Sequence, residues 1–327
     1  MMTRRASEAR RSVHKVHEER GIAAQHSQRQ RYEAKNLERG LIILSNLAEK
    51  LANHQFCITL ELDPPRGPSA DDLIEQAKSL EERLDAINIA DCPMAKLRMS
   101  PIAVARILQE KTSMDAIFHL TCRDRNLLGL QAELLGAAGL GVKHILALTG
   151  DSPQQGDHPT ATGVFDTDGI GLIKIVNQFN QGLDFNGNPL NSPTHFSIGT
   201  TANPTAADLE GELEKLQKKV AAGAHFVQTQ PIFEVEKALT FLDKTRDLPI
   251  RIIFGILPLR SASMADYLHE KVPGIEVPDQ VRKRMHQEGR AGGIAIAREL
   301  VRELRKSTAG VHLMPLNHLD VIPAILD

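Results

Sequence analysis

The chain has 327 residues, of which 42% are hydrophobic and 24% charged, a balance that fits a globular protein with a sizeable core. A formal net charge of -2 argues against general binding of nucleic acids or anionic membranes, and with no Trp and only 2 Tyr the chain offers few rings for stacking on bases. No apolar run approaches the roughly 20 residues that span a bilayer. We therefore expect a cytoplasmic protein, with an organellar transit segment as the alternative because the start is rich in Arg and lacks Asp.

Residues 1–40 differ in charge from the rest of the chain. They carry ten Lys or Arg against five Glu, a net charge of +5, which leaves -7 on the remainder. A segment with so little apolar periodicity buries too little surface to offset its ordering entropy. We expect a basic N-terminal extension over residues 1–45, frayed or helical, and one domain over residues 46–327. Residues 1–40 are a candidate contact for a protein partner.

From residue 57 onward, short β-rich apolar runs alternate with longer amphipathic stretches. The runs predict eight strands, at residues 57–62, 85–90, 116–121, 144–149, 195–199, 225–229, 251–256 and 311–316. The stretches predict helices at residues 70–83, 101–110, 127–138, 206–222 and 234–244. Strands that alternate with helices pair in parallel through right-handed crossovers. Eight such units favour an α/β fold, a single (β/α)8 TIM barrel, over an open sheet.

Two turn-rich stretches have a structural interpretation. Gly136, Gly139 and Gly141 precede a predicted strand, whereas the glycines of a dinucleotide fingerprint follow one. We interpret them as the end of a helix and its C-cap. Residues 180–194 are rich in Asn, Gly and Pro, which predicts a loop or small hairpin before the fifth strand.

The reacting groups of a (β/α)8 barrel project from the C-terminal ends of its strands. Among the polar residues there, Glu61 stands out because it lies within an apolar run and a Pro-Pro pair follows shortly after. A partly buried carboxyl is expected to have a raised pKa, which suits a general acid at neutral pH. The alternative is a carboxylate that pairs with an Arg or Lys across this end of the barrel.

Five motifs follow one another at the predicted strand ends: Glu61-Leu-Asp-Pro-Pro, His119-Leu-Thr-Cys, Ala147-Leu-Thr-Gly-Asp151, Thr229-Gln230-Pro-Ile-Phe233 and Gly255-Ile-Leu-Pro258. Their order and spacing resemble those of the methylenetetrahydrofolate reductase family. The resemblance runs from about residue 56 to residue 327. It points to the branch found as the reductase half of bacterial fusions with homocysteine methyltransferase.

The resemblance implies an FAD-dependent enzyme that reduces 5,10-methylenetetrahydrofolate to 5-methyltetrahydrofolate. Electrons would come from NADH, NADPH or a partner-supplied donor. Glu61 would be the acid that helps open the methylene bridge, and Asp151 would stabilise the resulting cation. The implied substrate contacts are Gln230, Phe233, Met264 and Leu268. The implied cofactor contacts are Asn88, His119, Thr149, Gly150, Asp151, Asn203 and Lys219. No metal is implied, and a homo-oligomer is expected.

Several implied contacts have a structural alternative. Without the resemblance, His119 would be interpreted as a hydrogen-bonded histidine of the core, and Lys219 as an ordinary lysine on an exposed helix. Asp151 would be interpreted as the cap of a turn, and Gln230 as a hydrogen-bond partner of the backbone of a loop. The chain also departs from the better-known branch of the family, for example with Asn203-Pro in place of His-Pro.

Two other functions are open alternatives. A zinc-dependent methyltransferase-type barrel needs a Cys or Cys/His set at one end. Cys57, however, begins its strand and is expected opposite to Cys92 and Cys122. The second alternative is a partner-dependent reductase subunit, which the basic extension motivates. The odd number of cysteines, without a CxxC pair, suits a reducing compartment.

Overall fold

The computed structural model describes residues 46–327, so the extension predicted for residues 1–45 lies outside the described residues. Eight parallel strands pair in chain order and close on themselves, with the last strand hydrogen-bonded to the first. They are β1 (Cys57–Leu62), β2 (Ala86–Ile89), β3 (Asp115–Thr121), β4 (His144–Leu148), β5 (Ser197–Ala202), β6 (Phe226–Pro231), β7 (Arg251–Ile256) and β8 (Gly310–Leu313). The predicted (β/α)8 barrel is confirmed.

Helices connect the strands on the outside of the barrel. Those of the described part are α1 (Asn46–Ala52), α2 (Asp71–Lys78), α3 (Pro101–Lys111), α4 (Leu127–Gly139), α5 (Gly169–Asn180), α6 (Leu209–Ala222), α7 (Val235–Thr245), α8 (Ala262–Lys271), α9 (Asp279–Leu304) and α10 (Ile322–Leu326). None of these helices combines the length and apolar character needed to cross a membrane. The sequence pattern had not predicted α1, α5, α8, α9 or α10.

Some predicted boundaries are wrong. The eighth strand ends at Leu313 instead of residue 316, because Pro315 has no N–H to donate and Leu316 and Asn317 turn away with φ of 50° and 64°. The fifth strand lies at Ser197–Ala202, later than residues 195–199. The helix predicted over residues 70–83 ends at Lys78, and a separate 3-10 turn covers Glu81–Arg83, since Leu80 leaves helical geometry and is buried in the core.

Alternate strand residues divide the apolar core into two layers. One layer lies between the sheet and the helices. The other lies inside the barrel, where Leu47 and Leu51 of α1 pack against the strands at their N-terminal end; its strand residues are Cys57, Ala86, Ile117, Leu146, Phe226 and Ile253. Gly199 leaves room for this layer, because a Cβ there would lie 2.4 Å from the Phe226 ring. Cys57 therefore sits at the N-terminal end, as predicted.

The turn-rich stretches have the predicted roles. Gly141, with φ of 76°, follows the end of α4, which confirms the C-cap interpretation of this glycine-rich stretch. Residues 180–194 form a compact loop closed by an isolated antiparallel bridge between Leu183 and Pro189. Within it Asp184 accepts hydrogen bonds from the backbone N–H groups of Asn186 and Asn188. These segments thus serve to connect strands and helices.

Candidate active site

A layer of polar side chains lies inside the barrel, next to the apolar layer and toward the C-terminal ends of the strands, an end here called the mouth. Every side chain of this polar layer is at most 5% exposed; its members are Thr59, Asn88, His119, Gln228 and His312. Burying polar groups is costly unless they are hydrogen-bonded. The five meet this condition by bonding to one another.

The centre of the polar layer is a reciprocal pair of amides. Asn88 Nδ2 donates to Gln228 Oε1 at 2.7 Å, and Gln228 Nε2 donates to Asn88 Oδ1 at 3.0 Å. Asn88 Nδ2 also lies 3.0 Å from His119 Nε2. An amide nitrogen can only donate, so this ring nitrogen of His119 accepts. Burial lowers the pKa of His119 to about 4, despite the opposing charge of Glu61, and the ring is therefore neutral at neutral pH.

The amide pair connects on its other side to Glu61. Gln228 Nε2 donates to Thr59 Oγ1 at 2.9 Å, and the same hydroxyl lies 2.9 Å from His312 Nδ1. The other ring nitrogen of His312, Nε2, lies 3.6 Å from Glu61 Oε2. A continuous chain of polar contacts thus runs from the interior of the barrel to a carboxyl group at the mouth.

The expectation of a raised pKa for Glu61 is wrong. Burial does raise the pKa of this carboxyl, whose side chain is 27% exposed, but the His312 ring, whose Nε2 lies 3.6 Å from Oε2, outweighs burial and lowers it. The side chain that Glu61 contacts is an imidazole from β8, so the expected alternative of an Arg or Lys partner is also wrong.

Asp63 follows Glu61 on the same face of the chain and behaves differently. Burial, together with the charge of Glu61, raises the pKa of Asp63, and this outweighs the hydrogen bond that Asn317 Nδ2 donates at 3.3 Å and the charge of Arg98. The pKa values of Glu61 at the end of β1 and of Asp63 just after it are therefore shifted in opposite directions, as is common where acid and base roles are divided.

Buried ion pairs hold the loops after β2 and β3. Arg125 donates to both carboxylate oxygens of Asp91, at 2.8 and 3.2 Å, and Asp91 also accepts from the backbone N–H and hydroxyl of Thr121. Arg123 is buried and donates to the carbonyls of Asp91 and Cys92 and to the carboxylate of Asp124. Bidentate charged hydrogen bonds of this kind fix the geometry of the mouth.

The loop after β4 carries three predicted site residues. The hydroxyl of Thr149 accepts from Gly169 N at 3.0 Å and so holds the first turn of α5. Gly150 has φ of 96°, and a Cβ there would lie 2.9 Å from Thr121 Cβ, so glycine is needed. Asp151 is exposed, and its Oδ2 accepts from Met94 N at 3.1 Å, which ties this loop to the one after β2.

The remaining predicted cofactor contacts lie around β5. Asn203 organises a turn, since its Nδ2 donates to Gly274 O at 2.8 Å and its Oδ1 accepts from the backbone and hydroxyl of Thr205. Lys219 of α6 donates from Nζ to Thr201 O at 2.6 Å. Burial lowers the pKa of Lys219 although the charge of Glu212 opposes this, and no described carboxylate lies within 4 Å of the amine.

The predicted substrate contacts fall into two groups. Gln230 is exposed at the tip of β6, at the mouth. Phe233 and Leu268 are buried in the core outside the barrel, and Met264 is half-buried against the same core. The structure thus brings Asn88 and His119 into one hydrogen-bonded layer, which Glu61 contacts through His312, whereas the hydrogen bonds of Asp151, Asn203 and Lys219 go to other groups.

Sequence reasoning did not include Thr59, Gln228 or His312 among the site residues. The alternation of inward and outward residues along each strand could have identified them. Thr59, for example, is two positions before Glu61 on β1 and therefore faces the same way. Arg260, in the loop after β7, was also missed. Its Nη1 contacts His318 Nε2, and its buried Nε has no hydrogen-bond partner among the described residues.

Comparison with known proteins shows the family of this chain. Residues 46–327 match the family model described as methylenetetrahydrofolate reductase. A 5,10-methylenetetrahydrofolate reductase of Pectobacterium carotovorum is 25% identical over 287 residues, 82% of this chain and 88% of the relative. One from Salmonella typhimurium is 26% identical over 290 residues, 83% of this chain and 90% of the relative.

A solved structure shares the fold. It is an uncharacterized protein from Clostridium thermocellum that binds two copies of 5-methyl-5,6,7,8-tetrahydrofolic acid. Its TM-score is 0.60 at 16% identity, and the match covers 86% of this chain and 96% of that chain. At this identity the likeness shows the fold alone.

Proposed function

Because this chain belongs to the methylenetetrahydrofolate reductase family, we propose that the mouth of its barrel reduces 5,10-methylenetetrahydrofolate to 5-methyltetrahydrofolate. The observation that carries the proposal is Glu61, a carboxyl at the tip of β1 that His312 holds next to the buried polar layer. Opening the methylene bridge needs a proton on a bridging nitrogen and leaves a cation. A carboxyl group can donate that proton, and its carboxylate can then stabilise the cation.

FAD is the cofactor we propose. A diphosphate needs N–H donors and positive charge. The ammonium of Lys219 has three N–H donors and gives one to Thr201 O, so two are available to an anion. Lys219 would hold the diphosphate, and Thr149, Gly150 and Asp151 of the loop after β4, Asn203 after β5, and Asn88 and His119 of the polar layer would be the remaining cofactor contacts. When bound, FAD supplies the hydride carrier that links a reduced nicotinamide to the folate.

The exposed polar groups of the mouth take the roles that the family resemblance implies. Asp151 has Oδ2 engaged with Met94 N, and we propose that its negative charge stabilises the folate cation. Gln230 offers an exposed amide to the pterin. Met264 is half-buried and offers an apolar contact. Phe233 and Leu268 are buried in the core against which Met264 packs, and they would support its side chain.

Arg260 fits the charged end of the substrate. Folate ends in a glutamate, whose carboxylates need a cationic partner. Arg260 lies in the loop after β7, no described carboxylate pairs with it, and its Nε is buried without a partner among the described residues. A guanidinium with free donors is well suited to a carboxylate. We include Arg260 in the substrate site on this ground.

The electron donor, the assembly and the location belong to the proposal as well. We propose NADH or NADPH as the donor, with a partner-supplied donor as the alternative. Self-association and contact with a partner through residues 1–40 stay predictions. A cytoplasmic location stays a prediction that rests on the odd number of cysteines without a CxxC pair.

The test separates the two half-reactions on protein loaded with FAD. Glu61→Gln keeps the shape of the side chain but removes the acidic group through which a proton can pass to the folate. Reduction of the folate should fall by about 10²–10⁴-fold, whereas bleaching of the flavin by a nicotinamide should change little, because only the folate step needs the acid. Glu214→Gln, the same change on an exposed position of α6, is the matched control. Equal loss in both half-reactions would assign Glu61 a structural role, and no loss would remove it from the mechanism.

A further inference from the structure

We infer that His312 is a positioning residue for Glu61: Thr59 and Gln228 orient its ring so that an N–H faces the carboxylate, and the Glu61–His312 pair, not Glu61 alone, holds the proton used in the folate step. The last part of this inference rests on the proposed function. The orientation of the ring does not, so the two can be tested separately.

The direction of the hydrogen bonds fixes which ring nitrogen carries the hydrogen. Gln228 Nε2 has two hydrogens, and they go to Asn88 Oδ1 at 3.0 Å and Thr59 Oγ1 at 2.9 Å. Because Thr59 Oγ1 accepts, its own hydrogen can point to His312 Nδ1, 2.9 Å away. Gln228 Nε2 lies 3.4 Å from the same Nδ1, and a donor so close favours a ring nitrogen without a hydrogen. The N–H of the neutral ring is therefore at Nε2, which faces Glu61.

The orientation of Gln228 is itself fixed from the far side of the layer. Asn88 Nδ2 donates one hydrogen to Gln228 Oε1 and the other to His119 Nε2. Rotating either amide by a half-turn would place a carbonyl oxygen against the accepting nitrogen of His119, or two N–H groups against each other. The direction of the whole chain of donors that ends at Glu61 therefore goes together with the His119 tautomer in which Nε2 carries no hydrogen.

The pair can take up and release one proton without rearranging. With one more proton it is an imidazolium beside a carboxylate, or an imidazole beside a carboxylic acid. The Thr59 hydroxyl can then accept from Nδ1, because a hydroxyl both donates and accepts. When the proton leaves through Glu61 Oε2, its bond to the pair breaks and an N–H bond forms on the substrate. The charge of the pair goes from zero to -1 and the substrate gains +1, so the protonation step balances without any other reactant. Such a proton belongs to the pair as a unit.

Few other charged groups face the pair. Asp63 lies two residues after Glu61, just past the end of β1. His119 faces Glu61 from β3, and Asp91, which follows β2, acts on His119. Arg98 acts on Asp63. The facing residues of β6 and β7, Gln228 and Gly255, are uncharged. Within the described residues, His312 is the one basic side chain within 4 Å of the Glu61 carboxylate.

The ring orientation can be measured directly on the full chain by nitrogen NMR of its histidine rings. The resonances of His312 are identified by their loss in His312→Gln. We expect the N–H at Nε2 and a hydrogen-bonded, unprotonated Nδ1. Thr59→Val, which removes the hydroxyl, should abolish this preference, and Thr59→Ser should restore it. Thr200→Val is the matched control, since Thr200 is also buried on a strand and its hydroxyl has no partner among the described residues. An N–H at Nδ1 in the wild type, or an unchanged ring in Thr59→Val, would overturn the inference.

The second measurement is the pH profile of the folate step. The amide of His312→Gln can still donate to Glu61 but cannot take up a proton. We expect the rate near neutral pH to fall by about 10²-fold and the profile to move to lower pH. A uniform fall at every pH would indicate a structural role only and would overturn the inference, as would an unchanged profile. If the wild type has the expected ring orientation but does not reduce the folate, the proposed function fails while the orientation stands.

Discussion

Acid should destabilise this barrel through His119. The ring is buried, and burial lowers its pKa to about 4, whereas an unfolded chain has a histidine pKa of about 6.5. Between these values the unfolded state binds the proton and the folded state does not. The free energy of unfolding therefore rises with pH in this window. The contribution of His119 is complete above about pH 6.5 and is lost as the pH falls toward about 4.

The size of the effect follows from the two pKa values. A shift of one pKa unit corresponds to about 1.4 kcal/mol, so the full loss is about 3 kcal/mol. Near pH 5.5 the unfolded histidine is mostly protonated and the folded one is not, and the loss there is about 1.4 kcal/mol. His119 is only 5% exposed, so screening by solvent reduces these free-energy losses little.

Urea unfolding tests this predicted loss of the free energy of unfolding. The wild type and His119→Gln are each measured near neutral pH and near pH 5.5. The Gln oxygen can still accept from Asn88 Nδ2 but does not titrate. The wild type should lose about 1.4 kcal/mol more than the variant between the two conditions, because every other titrating group is common to both proteins. His269→Gln, at an exposed position of α8, is the control and should behave like the wild type. The same pH dependence in wild type and His119→Gln would refute the reasoning.

Two further predictions concern the mouth. Gly150→Ala should lower the free energy of unfolding by about 1–3 kcal/mol in urea titrations, because φ of 96° and the approach to Thr121 leave no room for a Cβ; unchanged stability would show that the loop after β4 can readjust. Arg260→Gln should raise KM for the folate by about tenfold with little change in kcat, because the lost contact is made equally in the ground and transition states. An unchanged KM would exclude Arg260 from the substrate site.

The sequence by itself determined the fold, and through the fold it indicated the end of the barrel at which we propose the chemistry. The bounds of β1 and β7 are those the sequence predicts, at Cys57–Leu62 and Arg251–Ile256. Alternation of strands and helices, and of inward and outward residues, is a local property that a single chain displays. The glycine-rich end of α4, with Gly141, could be predicted for the same reason, because a helix end is also a local feature of the sequence. The helices α5, α8 and α9 were missed because their patterns are weaker: α5 begins with Gly-Ile-Gly, and α9 contains the non-helical Gly289.

The environment of each site residue was decided by the tertiary structure. Glu61 has a lowered pKa because closure of the barrel places β8, the last strand, beside β1, the first, and so brings His312 to the carboxylate. The polar layer likewise needs side chains from β1, β2, β3, β6 and β8, whose spacing along the chain contains no information about their contacts. A pKa depends on charges and hydrogen bonds a few ångströms away in space, so only the closed barrel could determine the sign of the shift at Glu61.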